Sequence, residues 1–161
     1  WQLHFHKSRL GPNALALPGG TMVMTDELVK LVGGDEEVIV GVLAHELGHV
    51  EHRHGMRALV HAGVLGAVAS VAFGDFSGWL ATAPVVLGQA GYSRDAEREA
   101  DRHAIRVMQA AGISPLAMVR FFEKIAEKAG DRERSALGIA FASHPADAER
   151  MAAFRRAAGQ P

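Results

Sequence analysis

The sequence predicts an α+β fold that is dominated by helices, with a small sheet confined to its N-terminal third. Three observations carry that reading. Apolar and polar side chains alternate with period two over Trp1-Gln2-Leu3-His4-Phe5-His6, as in a strand with one buried face. Two more short strand-like runs, Asn13 to Leu17 and Thr21 to Thr25, flank the turn Pro18-Gly19-Gly20. From Asp35 onward the chain is a succession of capped, helix-length segments. At 161 residues it can bury one hydrophobic core but hardly two, so residues 1–161 are expected to form a single domain.

The helices follow in order. Thr25 is placed to cap a short helix over Asp26 to Val32, which Gly33-Gly34 ends. Asp35 caps the next, with Glu36 and Glu37 in its first turn where the helix dipole favours negative charge. That helix is expected to run over about 36–57. Its early part, Val38 to Ala44, is apolar almost all round and predicts burial through the middle of the domain. Ala58 to Phe73 is strongly apolar but, at about 16 residues, shorter than the roughly 20 that span a bilayer. It is expected to be a packed helix, the alternative being a surface that faces a membrane or a partner. Asp75 to Gly78 breaks it, and a second apolar stretch follows to Gly91. Ser93 caps a helix that ends near Gly112; Ser114-Pro115 opens another, closed by Gly130. Asp131 to Ala142 reads as a loop, and a last helix as about Pro145 to Ala158.

Composition removes several function classes. The net charge of −1 offers no basic field for nucleic acid. Without cysteine there is no disulfide scaffold, no thiolate zinc site and no thiol nucleophile. The chain begins at Trp1, directly in a strand, and reads as a domain excised or processed from a longer protein.

The chemistry lies in the helices. His45-Glu46-Leu47-Gly48-His49 fits H-E-x-x-H. Residues four apart share a helix face, so both imidazoles can reach one metal ion, with Glu46 beside them to take a proton from its water. Burying these groups without a partner would be costly. A catalytic zinc wants a third protein ligand, commonly a carboxylate. Glu97-Arg98-Glu99-Ala100-Asp101 supplies two candidates on one helix face: of Glu97 and Asp101, one can ligate while the other hydrogen-bonds a ligand histidine. Glu99 points elsewhere and is expected to be solvated.

These motifs resemble the HtpX and CAAX prenyl endopeptidase family of zinc metallopeptidases, gluzincins with H-E-x-x-H followed by E-x-x-A-D. The likeness extends to Asn13 through Gly20, Arg53-His54, Ser93-Arg94 and Ser143-His144-Pro145, in the family's order and over essentially the whole chain. It is greatest to bacterial members of the envelope quality-control kind. The resemblance implies a zincin-like (minigluzincin) fold and endopeptidase action on polypeptides, unfolded or membrane-associated. It also implies a membrane-associated parent protein in the bacterial cell envelope or periplasm. The site it implies holds one Zn2+ per chain on His45, His49 and Glu97, with Asp101 behind a ligand and Glu46 as general base.

His144 matches a family histidine and is assigned a catalytic place, as a donor to the developing oxyanion. A latent fourth zinc ligand and a plain helix cap are its other readings. Arg150 is set to pair with a cleft carboxylate or stay exposed. His52 and His54 are expected to be solvated or capping, and His4, His6, His61 and His103 structural or superficial. The rival functions are a chaperone-like or latent metal-binding domain with little proteolysis, and a zinc hydrolase acting on something other than peptides.

Overall fold

The computed structural model describes residues 1–9, 11–73, 92–131, 144 and 147–160. Strands β1 (Gln2–His6), β2 (Ala14–Leu17) and β3 (Thr21–Thr25) form one sheet in the order β1-β3-β2. β2 and β3 pair antiparallel across a turn in which Gly19 and Gly20 take φ of 97° and 93°, backbone that side-chain-bearing residues rarely adopt. β1 runs parallel to β3 with Gln2 opposite Thr21. β3 is therefore the central strand, and β2 lies at an edge of the sheet among the described residues.

Five of the expected helices are present, most with the expected caps. Thr25 accepts from Leu28 N–H at the start of α1 (Asp26–Leu31), and Asp35 from Val38 N–H at the start of α2 (Glu36–Glu51). Ser93 accepts from Ala96 N–H at the start of α4 (Arg94–Ala110). α5 covers Leu116–Asp131. α6 is Ala148–Ala157, capped by Asp147, so it starts three residues later than expected. The stretch of 79–90 and the loop after Asp131 lie outside the described residues.

The motif helix is shorter than the 36–57 expected. α2 ends at Glu51, His52 caps it, and Arg53 adopts a left-handed φ of 55°; α3 (His54–Phe73) then begins on a new axis. Left-handed backbone costs a non-glycine residue roughly 1–2 kcal/mol, and it halts the α-helical hydrogen-bond ladder. α3 only partly meets the expectation of a packed helix. His54 is buried, yet Met56, Val60 and Val64 are 46%, 57% and 59% exposed. No helix among the described residues is long and apolar enough to cross a membrane.

The core forms where α2 crosses the domain. Val38 and Val42 pack with Met24 and Leu28 on one side and Met108, Met118, Phe122 and Phe154 on the other. α2 lies most closely against α4, and Gly48 is the reason. A Cβ there would stand 2.8 Å from the Cα of Ala100, a distance real Cβ atoms do not keep. The glycine between the two motif histidines thus lets the α4 backbone approach, carrying its carboxylates to the imidazoles.

Candidate metal centre

Glu97 and Asp101 are one turn apart on α4 and both buried, as are His45, Glu46 and His49 on α2. The Nε2 atoms of His45 and His49 are 3.1 Å apart. Glu97 straddles them, Oε1 3.3 Å from His49 Nε2 and Oε2 3.4 Å from His45 Nε2. His144 completes the group: its Nδ1 is 2.9 Å from Glu97 Oε1 and 3.3 Å from His45 Nε2. One ligand atom from each of these four residues lies within 4.8 Å of the others.

That crowding fits a metal ion. The outer nitrogen of His45, Nδ1, is 2.9 Å from Asp101 Oδ1, and that of His49 is 2.9 Å from His54 Nδ1. If each imidazole spends its proton on that outer partner, two bare nitrogens face each other beside a carboxylate, an arrangement that a cation relieves. Ligands held 2.0–2.2 Å from a tetrahedral ion stand roughly 3.3 Å apart. The spacings among His45, His49 and Glu97 run from 3.1 to 3.4 Å. Histidine and carboxylate donors suit zinc and several other divalent ions.

Glu46 has a different place. Its Oε1 is 3.5 Å from His144 Nε2, while Oε2 is buried and accepts no hydrogen bond from a described residue. A carboxylate oxygen kept free beside a metal cluster is positioned to take a proton. Glu46 lines an apolar recess together with Leu28, Val42, Met118, Phe121, Phe122 and Ile125, to which Ala14 of β2 and the preceding Asn13 also contribute.

Arg150, left open between pairing and exposure, is buried and pairs with two carboxylates. Its Nε and Nη2 donate to Asp101 at 2.7 Å each, and Nη1 lies 2.8 Å from Glu97 Oε2. The guanidinium also sits 5.1 Å from the centre of the Phe122 ring. Burial opposes charge on Asp101, but Arg150 and His45 outweigh it and hold the carboxyl below its ordinary range. Glu97 follows the same pattern, held well below that range by His144, His45 and His49 against its burial. His45, buried but bonded to Asp101 and Glu97, is pushed up to about 9. His49 is pushed down to about 3 by burial, which its bond to Glu97 does not offset against the neighbouring imidazoles. The two motif histidines diverge because Asp101 and Glu97 together outweigh burial at His45, whereas at His49 burial and the charges of His45 and His144 outweigh Glu97.

Three contacts escaped the sequence reading. His54, expected to be solvated or capping, is 4% exposed and lies between His49 and Glu99. Glu99, expected to be solvated, is partly so, but accepts a 3.0 Å hydrogen bond from His54 Nε2. Tyr92 stacks on the His49 ring with centroids 4.0 Å apart, and burial pushes its hydroxyl up to about 12. The only sequence signal for His54 was its place in the family-like Arg53-His54 pair; its spacing of five from His49 hid the contact.

A profile of peptidase family M48 matches residues 1–158. The chain belongs to peptidase family M48. Relatives include the Beta-barrel assembly-enhancing protease of Yersinia pestis, 32% identical over 163 residues that cover 92% of this chain and 32% of that protein. Metalloprotease YcaL of Escherichia coli is 33% identical, covering 89% of this chain and 57% of its own. Mitochondrial metalloendopeptidase OMA1 of Schizosaccharomyces pombe is 29% identical, covering 94% and 44%. The chain spans about a third of the length of the first of these.

Proposed function

We propose that residues 1–161 are one catalytic domain, a zinc-dependent endopeptidase. His45, His49 and Glu97 hold the ion, Asp101 orients His45, and Glu46 is the general base. The observation that supports this most is the convergence of both Nε2 atoms and the Glu97 carboxylate beside a Glu46 oxygen with no hydrogen-bond partner among the described residues. A zinc ion held there would supply Lewis acidity toward a scissile carbonyl and a more acidic water. Glu46 would take that water's proton at Oε2 as the water's oxygen bonds the carbonyl carbon, and would return it to the amine as the C–N bond breaks. The β2 edge takes an extended substrate by backbone pairing, placing a side chain in the apolar recess. A substrate-bound structure with the peptide away from β2 would overturn that docking.

The metal reading is tested by zinc content. Wild type should carry about one zinc per chain and Glu97→Ala should lose it, whereas retention in the variant moves the third ligand elsewhere. Glu46→Gln should keep the ion and lose chelator-sensitive cleavage of an unfolded protein. Full-rate cleavage by that variant removes Glu46 from the chemistry.

A second reading concerns His144. Its Nδ1 lies among the ligand atoms, 3.3 Å from His45 Nε2, which favours a resting state with His144 as fourth ligand over the oxyanion-donor role. Catalysis then requires His144 to withdraw. Higher activity in His144→Ala supports latency; a large fall restores the catalytic role.

The finer placement near HtpX and CAAX prenyl endopeptidases rests on the quoted motifs. Unfolded or membrane-associated substrates and a place in bacterial envelope quality control remain part of this proposal. They are supported by those motifs and by the likeness to the Beta-barrel assembly-enhancing protease of Yersinia pestis.

A further inference from the structure

His54 stands five residues beyond His49. On a continuous helix that spacing turns a side chain about 140° away from its predecessor. The break at Arg53 undoes the turn, and the first residue of α3 folds its ring back against His49. The result is a line of three groups: His49 Nδ1 to His54 Nδ1 at 2.9 Å, then His54 Nε2 to Glu99 Oε2 at 3.0 Å.

One assignment of protons satisfies the whole line. Glu99 accepts and so requires the proton of His54 on Nε2. With His54 as a neutral imidazole, its Nδ1 is then a bare acceptor, which requires the proton of His49 on Nδ1. His49 is left with its lone pair on Nε2, the atom that faces Glu97 and His45. The opposite tautomer of His54 would set a bare Nε2 against a carboxylate.

We propose that His54 and Glu99 are positioning residues for the metal, a relay that fixes the tautomer and ring angle of His49. The inference rests on the metal reading above and extends it to two side chains that touch no ion. Glu99 is the outer end, with side-chain exposure of 35%; His52 Nδ1 at 3.9 Å and Arg57 Nη1 at 3.8 Å are its other cationic neighbours. The left-handed strain at Arg53 persists because it delivers His54 to this line.

Zinc affinity tests the relay, measured by chelator competition on the apo protein titrated with zinc ion alone. Removing the group behind a ligand histidine typically weakens metal binding about 10–100-fold, and that loss is expected for His54→Ala. His54→Asn, whose carbonyl oxygen stands near the position of Nδ1, should recover most of it. Glu99→Ala should weaken binding by a smaller factor, and should add nothing in the His54→Ala background because it acts only through His54. Wild-type affinity in His54→Ala overturns the relay, as does an Asn variant no better than Ala. So does a Glu99→Ala loss that persists at full size in the double variant. Should the His54 variants fail to fold, Glu99→Ala decides alone: wild-type affinity there overturns the proposal. A wild-type protein that takes up no zinc overturns the metal reading itself, a result distinct from all of these.

Discussion

Of the two histidines on α2, His45 leans on a carboxylate sealed among three helices, whereas His49 leans on two side chains that end at solvent. Asp101 is 3% exposed and gripped by Nε and Nη2 of Arg150, a residue from α6. Glu99 is about a third exposed and, among the described residues, gripped by no buried side chain except His54. Both arrangements hold an imidazole by its outer nitrogen. The first also ties α2, α4 and α6 together, since Arg150 reaches Glu97 as well as Asp101. The difference teaches that fixing a ring and holding up the fold are separable tasks. The His45 side performs both, and the His49 side performs the first.

The largest expected effect is on the sealed side. Arg150→Ala leaves two buried carboxylates short of their cation, and breaking such a pair typically costs about 3–5 kcal/mol. Urea unfolding of the apo protein measures it. A loss below about 1 kcal/mol would mean that Arg150 is not the tie described here.

Gly48→Ala strikes both sides at once. The new methyl group meets the Ala100 backbone, so α2 and α4 must separate, at about 1–3 kcal/mol for overpacking. Zinc affinity should fall with stability, because the separation carries Glu97 off the imidazoles. Unchanged affinity would show that the helices can part without moving the carboxylate.

Acid sharpens the contrast further. The Asp101 carboxyl is depressed below its ordinary 3.8 in the fold, despite burial, by Arg150 and His45. A depressed carboxylate contributes stability that is present above its unfolded value and is lost as pH falls through its folded one. The Asp101 contribution to apo stability should therefore persist down to about pH 4 and be lost below it, in addition to the loss that burying His49 uncharged brings as pH falls below about 6.5. In Arg150→Ala burial is less opposed, and the decline should begin at higher pH. Coincident profiles would remove Arg150 as the cause.

The smallest effect belongs to the open side. Glu99→Ala should leave the urea midpoint of the apo protein where it is, while zinc affinity drops. A clear loss of apo stability would make Glu99 a structural residue and erase the distinction between the two sides.

How much of this was legible in the sequence depends on the range of each interaction. The caps at Thr25, Asp35 and Ser93 act over three residues and were read correctly. The pairs His45–His49 and Glu97–Asp101 could be read because four residues make one helical turn. The end of α2 could not, since the left-handed residue is Arg53 itself, a type that rarely adopts that backbone, while the nearby Gly55 lies inside α3. His54 was misjudged for the same reason: its role exists only once the helix breaks.

The sequence by itself determined which groups this protein has for chemistry and on which helix faces they stand, because helical periodicity converts spacing into direction. Only the tertiary structure decided which face meets which. Arg150 reaches Asp101 across 49 residues and His144 reaches Glu97 across 47. No local pattern encodes such contacts, because they follow from how closely α4 approaches α2 at Gly48 and where α6 docks. The same packing made β3 the central strand and left β2 at an edge, beside the recess that Glu46 lines.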